Sequence, residues 1–130
     1  MIVVDASAVL ELLLGTPASE TISQRLFREG ESWHVPHLLD LEVAQVLRRY
    51  TTAAEIDEQR GSQALEDLQA MPLVRYPHTV LLSRIWQLRD NVTAYDAAYL
   101  ALAEALAAPL VTRDGRLRNV PGVQAAVEVI

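Results

Sequence analysis

The sequence predicts an α/β fold with a mainly parallel sheet and helices on both faces. Two observations carry this. Short β-branched apolar runs alternate with segments of helical spacing along the whole chain, as in a sheet crossed over by helices. Acidic residues also stand at the ends of two of those runs, Asp5 and Asp114. Open parallel sheets bind ligands beyond such strand ends.

Met1-Ile2-Val3-Val4 suits a strand buried on both faces and ends at Asp5. Residues 6–14 then read as helix until Gly15, and Thr16-Pro17 restarts a helix that runs to about Gly30. Trp33-His34-Val35 is a strand stopped by Pro36. Helices follow over about 37–50 and 55–70, then a weak strand over 72–75. Residues 79–89 and 93–106 have helical spacing, Leu110-Val111-Thr112 is a strand, and residues 127–130 make a last one. The 130 residues show no repeat or Gly/Ser linker, so one domain over 1–130 is expected.

Composition excludes several chemistries. Cysteine is absent, which removes disulfides, thiolate metal sites and a Cys nucleophile. All 11 basic residues are arginine, so a P-loop lysine, a Schiff base and a Lys general base are excluded. The longest nearly uncharged run, 97–111, is broken by Glu104 and Pro109 and is too short to span a bilayer. A cytoplasmic protein is expected, with no membrane partner.

Four acids stand out. Asp5 and Asp114 end strands. Glu42 falls inside the apolar stripe of Leu39, Val43, Val46, Leu47 and Tyr50, where an unpaired carboxylate is costly without a cation or a raised pKa. Asp40 lies round the helix from it and reads as a first-turn acid favoured by the helix dipole. Asp96 closes Thr93-Ala94-Tyr95-Asp96, a capping-box pattern, so the helix start alone would account for it. Converging carboxylates repel and stay ionised together only around cations. Oxygen-only donors suit Mg²⁺ or Mn²⁺. Such ions could bind phosphate and activate water, which favours phosphodiester hydrolysis. The formal net charge of −6 argues against broad attraction to nucleic acid, but most of it resides in these four acids, where cations would cancel it.

Ile2-Val3-Val4-Asp5-Ala6-Ser7-Ala8 resembles the opening motif of PIN-domain ribonucleases, specifically VapC-type toxins. The stretch 36–48 around Glu42 resembles their second motif. Thr93-Ala94-Tyr95-Asp96-Ala97-Ala98-Tyr99-Leu100 is very similar to the third, and Leu110-Val111-Thr112-Arg113-Asp114-Gly115-Arg116-Leu117 to the fourth. The resemblance is collinear over nearly the whole chain. It implies a three-layer α/β/α PIN-like fold. It also implies an endoribonuclease with one or two Mg²⁺ or Mn²⁺ ions per subunit, cutting RNA by metal-activated water as the toxin of a toxin–antitoxin pair. The catalytic and metal-binding acids would be Asp5, Glu42, Asp96 and Asp114, with Asp5 and Asp96 the most direct ligands. Ser7, Thr93 and Thr112 would stand beside them; Ser7 and Thr112 would orient a carboxylate or a water. A homodimer and a VapB-like antitoxin, its C-terminal segment over the acids, are implied as partners. Asn119 stands where some relatives carry a further acid.

Other residues have plainer readings. His34 and His37 lack a third ligand, and Pro36 lies between them. Trp33, Trp86, Tyr50 and Tyr99 read as core or dimer-interface residues, and Ser7 would also serve as a helix N-cap. Among the arginines near the site, Arg113 and Arg116 are candidates for gripping RNA phosphates. Two further functions would carry their own marks in the sequence. A catalytically silent PIN-like module binding RNA or protein would be marked by loss of an acid, and all four are present. A small-molecule phosphohydrolase of the D-x-D-x-[T/V] type would need an acid where Ser7 stands.

Overall fold

A computed structural model describes residues 1–130. The elements in order are β1 (Ile2–Val4), α1 (Ala6–Leu14), α2 (Ser19–Leu26), β2 (Trp33–Pro36), α3 (Leu38–Thr52) and α4 (Glu58–Ala70). They continue with β3 (Leu73–Tyr76), a 3₁₀ turn (His78–Leu81), α5 (Leu82–Gln87), α6 (Ala94–Leu106), β4 (Leu110–Thr112) and β5 (Val127–Val129). The strands form one sheet in the order β3-β2-β1-β4-β5, and every pairing is parallel.

Helices α1 to α4 pack on one another, and α5, α6 and the 3₁₀ turn form a second group; the two groups meet mainly through the sheet. β1, β2 and β4 are buried throughout. β1 is wholly apolar, while His34 in β2 and Thr112 in β4 are buried polar groups with hydrogen-bond partners. In α6 every residue from Ala97 to Ala103 is buried. Its alanines let the backbone lie close over β1, β2 and β4. No helix is long and apolar enough to cross a membrane.

Several boundaries differ from the sequence expectation, each for a local reason. The helix after Pro17 begins at Ser19 and ends at Leu26 rather than Gly30: Phe27 caps it, its N–H donating to the Ser23 carbonyl, and Gly30 turns the chain only later, at φ 78°. Pro36 belongs to β2 instead of stopping it. It is registered with Tyr76, and β1 has no residue opposite it, so the missing N–H opens no gap in the ladder. The helix expected from residue 55 starts at Glu58, where the Asp57 side chain accepts from the Arg60 N–H. The helix expected over 79–89 divides into the 3₁₀ turn and the short α5. Asp40 does lie in the first turn of α3, but its carboxylate takes both prongs of the Arg75 guanidinium at 2.8 and 3.0 Å.

The connections place a topological switch between β1 and β4. From β1 the chain runs through α1 and α2 to β2 on one side, and only much later to β4 on the other. Ligand crevices of open parallel sheets form at such a point, beyond the carboxyl ends of the strands.

Candidate active site

Val4 is registered with Val111, so Asp5 emerges beside Thr112 at the switch point. Asp5 is also the N-cap of α1, its Oδ1 accepting from the Ala8 N–H at 3.3 Å. Ser7 is therefore not the cap. Its hydroxyl donates to Asp5 Oδ1 at 2.6 Å and accepts from the Arg113 N–H at 2.9 Å. Thr112, fully buried, donates its hydroxyl to Asp5 Oδ2 and accepts from the Asp114 N–H at 2.9 Å. One hydroxyl thus ties together the acids that end β1 and β4.

The other two acids come from helices. Thr93 is the N-cap of α6, accepting from the Asp96 N–H at 3.2 Å. The Asp96 carboxylate makes no hydrogen bond to the backbone in return, so capping does not account for it. Glu42 points from α3 into the interior with no arginine beside it. Its Oε1 and the Tyr99 hydroxyl are the two buried side-chain atoms without a hydrogen-bond partner. They lie near enough for the hydroxyl to favour the ionised carboxylate slightly, without meeting the geometry of a formed bond.

The acids feel one another's charge in a chain, Asp5 and Asp96 acting on Glu42 and Asp114 on Asp96. Burial, then the charges of Asp96 and Asp5, push the Glu42 carboxyl up to about 7. Burial and the charge of Asp114 raise Asp96, against the opposing pull of Arg116. Asp5 is raised by burial, although Ser7 and Thr112 work against the shift. Burial pushes the Tyr99 hydroxyl up, and Glu42 and Asp5 add to it. Asp114 alone is lowered, because Arg116 binds it at 2.7 to 3.1 Å through Nε and Nη2.

The donor set is oxygen only, mutually repulsive, and includes an unpartnered buried carboxylate oxygen. That fits a hard divalent cation. No three of the Asp, Glu or His side chains stand close enough together to chelate an ion without moving. Asp5 is turned to Ser7 and Thr112, and Asp114 to Arg116. A cation would have to draw these two in against those bonds.

The remaining sequence candidates divide. The Arg113 guanidinium is spent on the Ile130 carbonyl and on Glu11 at 3.8 Å, so a phosphate would have to displace both contacts. Arg116 is 86% exposed and held only by Asp114. His34 is buried with Nε2 at 2.8 Å from the Ser32 hydroxyl and Nδ1 at 2.7 Å from the Tyr76 hydroxyl, so both nitrogens have structural partners. Trp33 is core and donates to the Leu26 carbonyl, whereas Trp86 is 67% exposed and no core residue. Tyr99 is core as expected, yet its hydroxyl at the acids escaped the sequence reading. The i, i+3 spacing from Asp96 was the signal that could have found it.

Comparison with known proteins identifies the family. A model of the PIN domain matches residues 2–123. Ribonuclease VapC1 of Mycobacterium tuberculosis is 45% identical over 129 residues, covering 98% of this chain and 96% of that protein. Ribonuclease VapC9 of the same organism is 42% identical over 130 residues, covering 100% and 98%. Among solved structures, VapBC2 from Rickettsia felis, bound to a DNA fragment from its promoter, superposes with a TM-score of 0.71 at 14% identity, covering 99% of this chain and 98% of that one. The chain therefore belongs to the PIN-domain family, and within it to the VapC ribonucleases.

Proposed function

We propose that this chain is a divalent-metal-dependent endoribonuclease that hydrolyses RNA phosphodiester bonds, and that it acts in the cytoplasm as the toxin of a toxin–antitoxin pair. The observation that carries the reading is Glu42: its carboxylate Oε1 is buried without a partner, and burial, then the charges of Asp96 and Asp5, raise its pKa to about 7. Asp5 and Asp96 would be the main ligands of one or two Mg²⁺ or Mn²⁺ ions, with Glu42 and Asp114 completing the set. Bound there, the ions would supply positive charge for the phosphate and acidify the attacking water. The protein's own part is orientation. Ser7 and Thr112 hold the Asp5 carboxylate, Thr93 fixes the start of α6 beneath Asp96, and Tyr99 faces Glu42. A pKa of about 7 lets Glu42 give up its proton on cation binding at little cost.

One surface feature supports the homodimer that the family implies. Leu82 and Tyr95 are exposed and line an apolar cavity of about 210 Å³ with Leu38, Ile85, Ala94 and Ala98, among others. This face suits the second subunit of a homodimer. A VapB-like antitoxin with an arginine would satisfy the acids in place of a cation. The test of the activity is cleavage of single-stranded RNA by purified protein with Mn²⁺. Asp5→Asn and Asp96→Asn should abolish it. Cleavage equal to wild type in both variants would refute the assignment.

A further inference from the structure

Beside the acids lies a cavity to which the four-acid reading gives no role. It measures about 530 Å³ and opens between the loop joining α5 to α6 and the segment that follows β4. Arg89, Asn91, Asp96, Arg116 and Leu117 are among its lining residues. Its size lies within the roughly 300–1,000 Å³ of small-ligand sites. Asp96 belongs to both cavity and acid cluster, so whatever fills the cavity adjoins the acids.

The two arginines differ. Arg116 is bound to Asp114, while Arg89 has no carboxylate partner. Instead the Arg89 guanidinium stacks 4.7 Å from the centre of the Trp86 ring, and its Nη1 donates to the Trp86 carbonyl at 2.8 Å. This explains an exposed tryptophan that the core does not need. Stacking fixes the plane of the guanidinium and leaves most of its N–H groups open, the arrangement that suits a phosphate. Asn91 is held by its Nδ2 donating to the Pro121 carbonyl at 3.2 Å, which leaves its Oδ1 as an acceptor. Val92, Leu117 and Val120 add an apolar wall.

We propose that this cavity is the subsite for the nucleotide adjoining the cleaved bond of single-stranded RNA. Arg89 grips its phosphate and Asn91 supplies a polar contact to its base. A single strand is required because only an unpaired nucleotide can enter such a pocket. The inference rests on the nuclease reading above and adds where the strand runs. Charge sets a condition on it. Arg89 and Arg116 are balanced in the lining by Asp90 and Asp96. A cation on Asp96 and Asp114 would neutralise those acids and release Arg116, leaving the wall net positive. RNA affinity at this cavity therefore rises when a divalent cation is present.

The test measures fluorescence anisotropy of a labelled, short, random-sequence single-stranded RNA with Ca²⁺, across a salt series. Arg89→Gln should weaken binding about five- to tenfold and reduce the salt slope by about 1. Arg89→Lys should lose affinity while keeping the salt slope, because the charge remains and the stacked fork does not. Thermal unfolding of both variants should match wild type. Unchanged affinity and slope in Arg89→Gln would overturn the subsite and leave the nuclease reading standing. Binding through Arg89 by a wild-type protein that cleaves nothing with Mn²⁺ would overturn the nuclease reading, and with it the position of the cavity beside a cleaved bond.

Discussion

Replacing Glu42 by Gln removes the carboxylate with the least support in the molecule, and the gain in stability should depend on pH. The folded group titrates at about 7 against 4.5 for the free one. Below the unfolded value both states hold the proton, and the native state is not penalised. As pH rises from there through 7, the unfolded chain releases the proton while the folded one retains it, so stability falls; above 7 the loss is complete. At about 1.4 kcal/mol per pH unit, a fully shielded group would lose about 3 kcal/mol. Glu42 is only part-buried, so solvent screening reduces this to about 1–2 kcal/mol. In EDTA, Glu42→Gln should therefore unfold about 3–10 °C above wild type at pH ~8 and within about 2 °C of it at pH ~4.5. Added Mn²⁺ should reverse the order, because only the wild type has the full ligand set and ligand at about 100 times its dissociation constant stabilises by about 2.7 kcal/mol. The assay is thermal unfolding followed by circular dichroism at both pH values. Identical pH profiles for the two proteins in EDTA would refute the claim that Glu42 is a strained, uncompensated acid.

Other consequences follow from single contacts. Thr112→Val deletes a fully buried hydroxyl that serves both Asp5 and Asp114, and should cost about 1–3 kcal/mol in chemical denaturation while weakening Mn²⁺ binding. Arg25 is buried and binds both Glu128 oxygens, tying α2 to the edge strand β5. Arg25→Ala should cost about 1–3 kcal/mol and speed hydrogen exchange in residues 127–129, leaving the acids in place. Leu82→Glu places a charge on the exposed apolar face and should shift a dimer to monomer in light scattering, with thermal stability of the subunit nearly unchanged.

Much of the molecule was legible because periodicity and strand ends are local signals. The apolar runs at 2–4 and 110–112 identified two strands, but their place at the centre of the sheet and the switch point between them emerge only from the strand order. Glu42 was visible as a charge on an apolar stripe, and the structure gave it no arginine to explain it away. What stayed hidden depends on contacts between distant segments. Nothing near Arg113 in sequence says that its guanidinium turns back to Glu11 and Ile130. Likewise Trp86 and Arg89 carry no motif; their stacking and the cavity beside Asp96 exist only once the α5–α6 loop meets residues 116–120. The Tyr99 hydroxyl was hidden by its own ring, which packs as core.

The central claim is that Asp5, Glu42, Asp96 and Asp114 form one cation site, and calorimetric titration with Mn²⁺ near neutral pH tests it most directly. Wild type should bind one or two ions per subunit and release protons, since Glu42 is part-protonated there. Asp5→Asn or Asp96→Asn should abolish the binding. Mn²⁺ binding of equal strength in those variants, or none in wild type, would contradict the account.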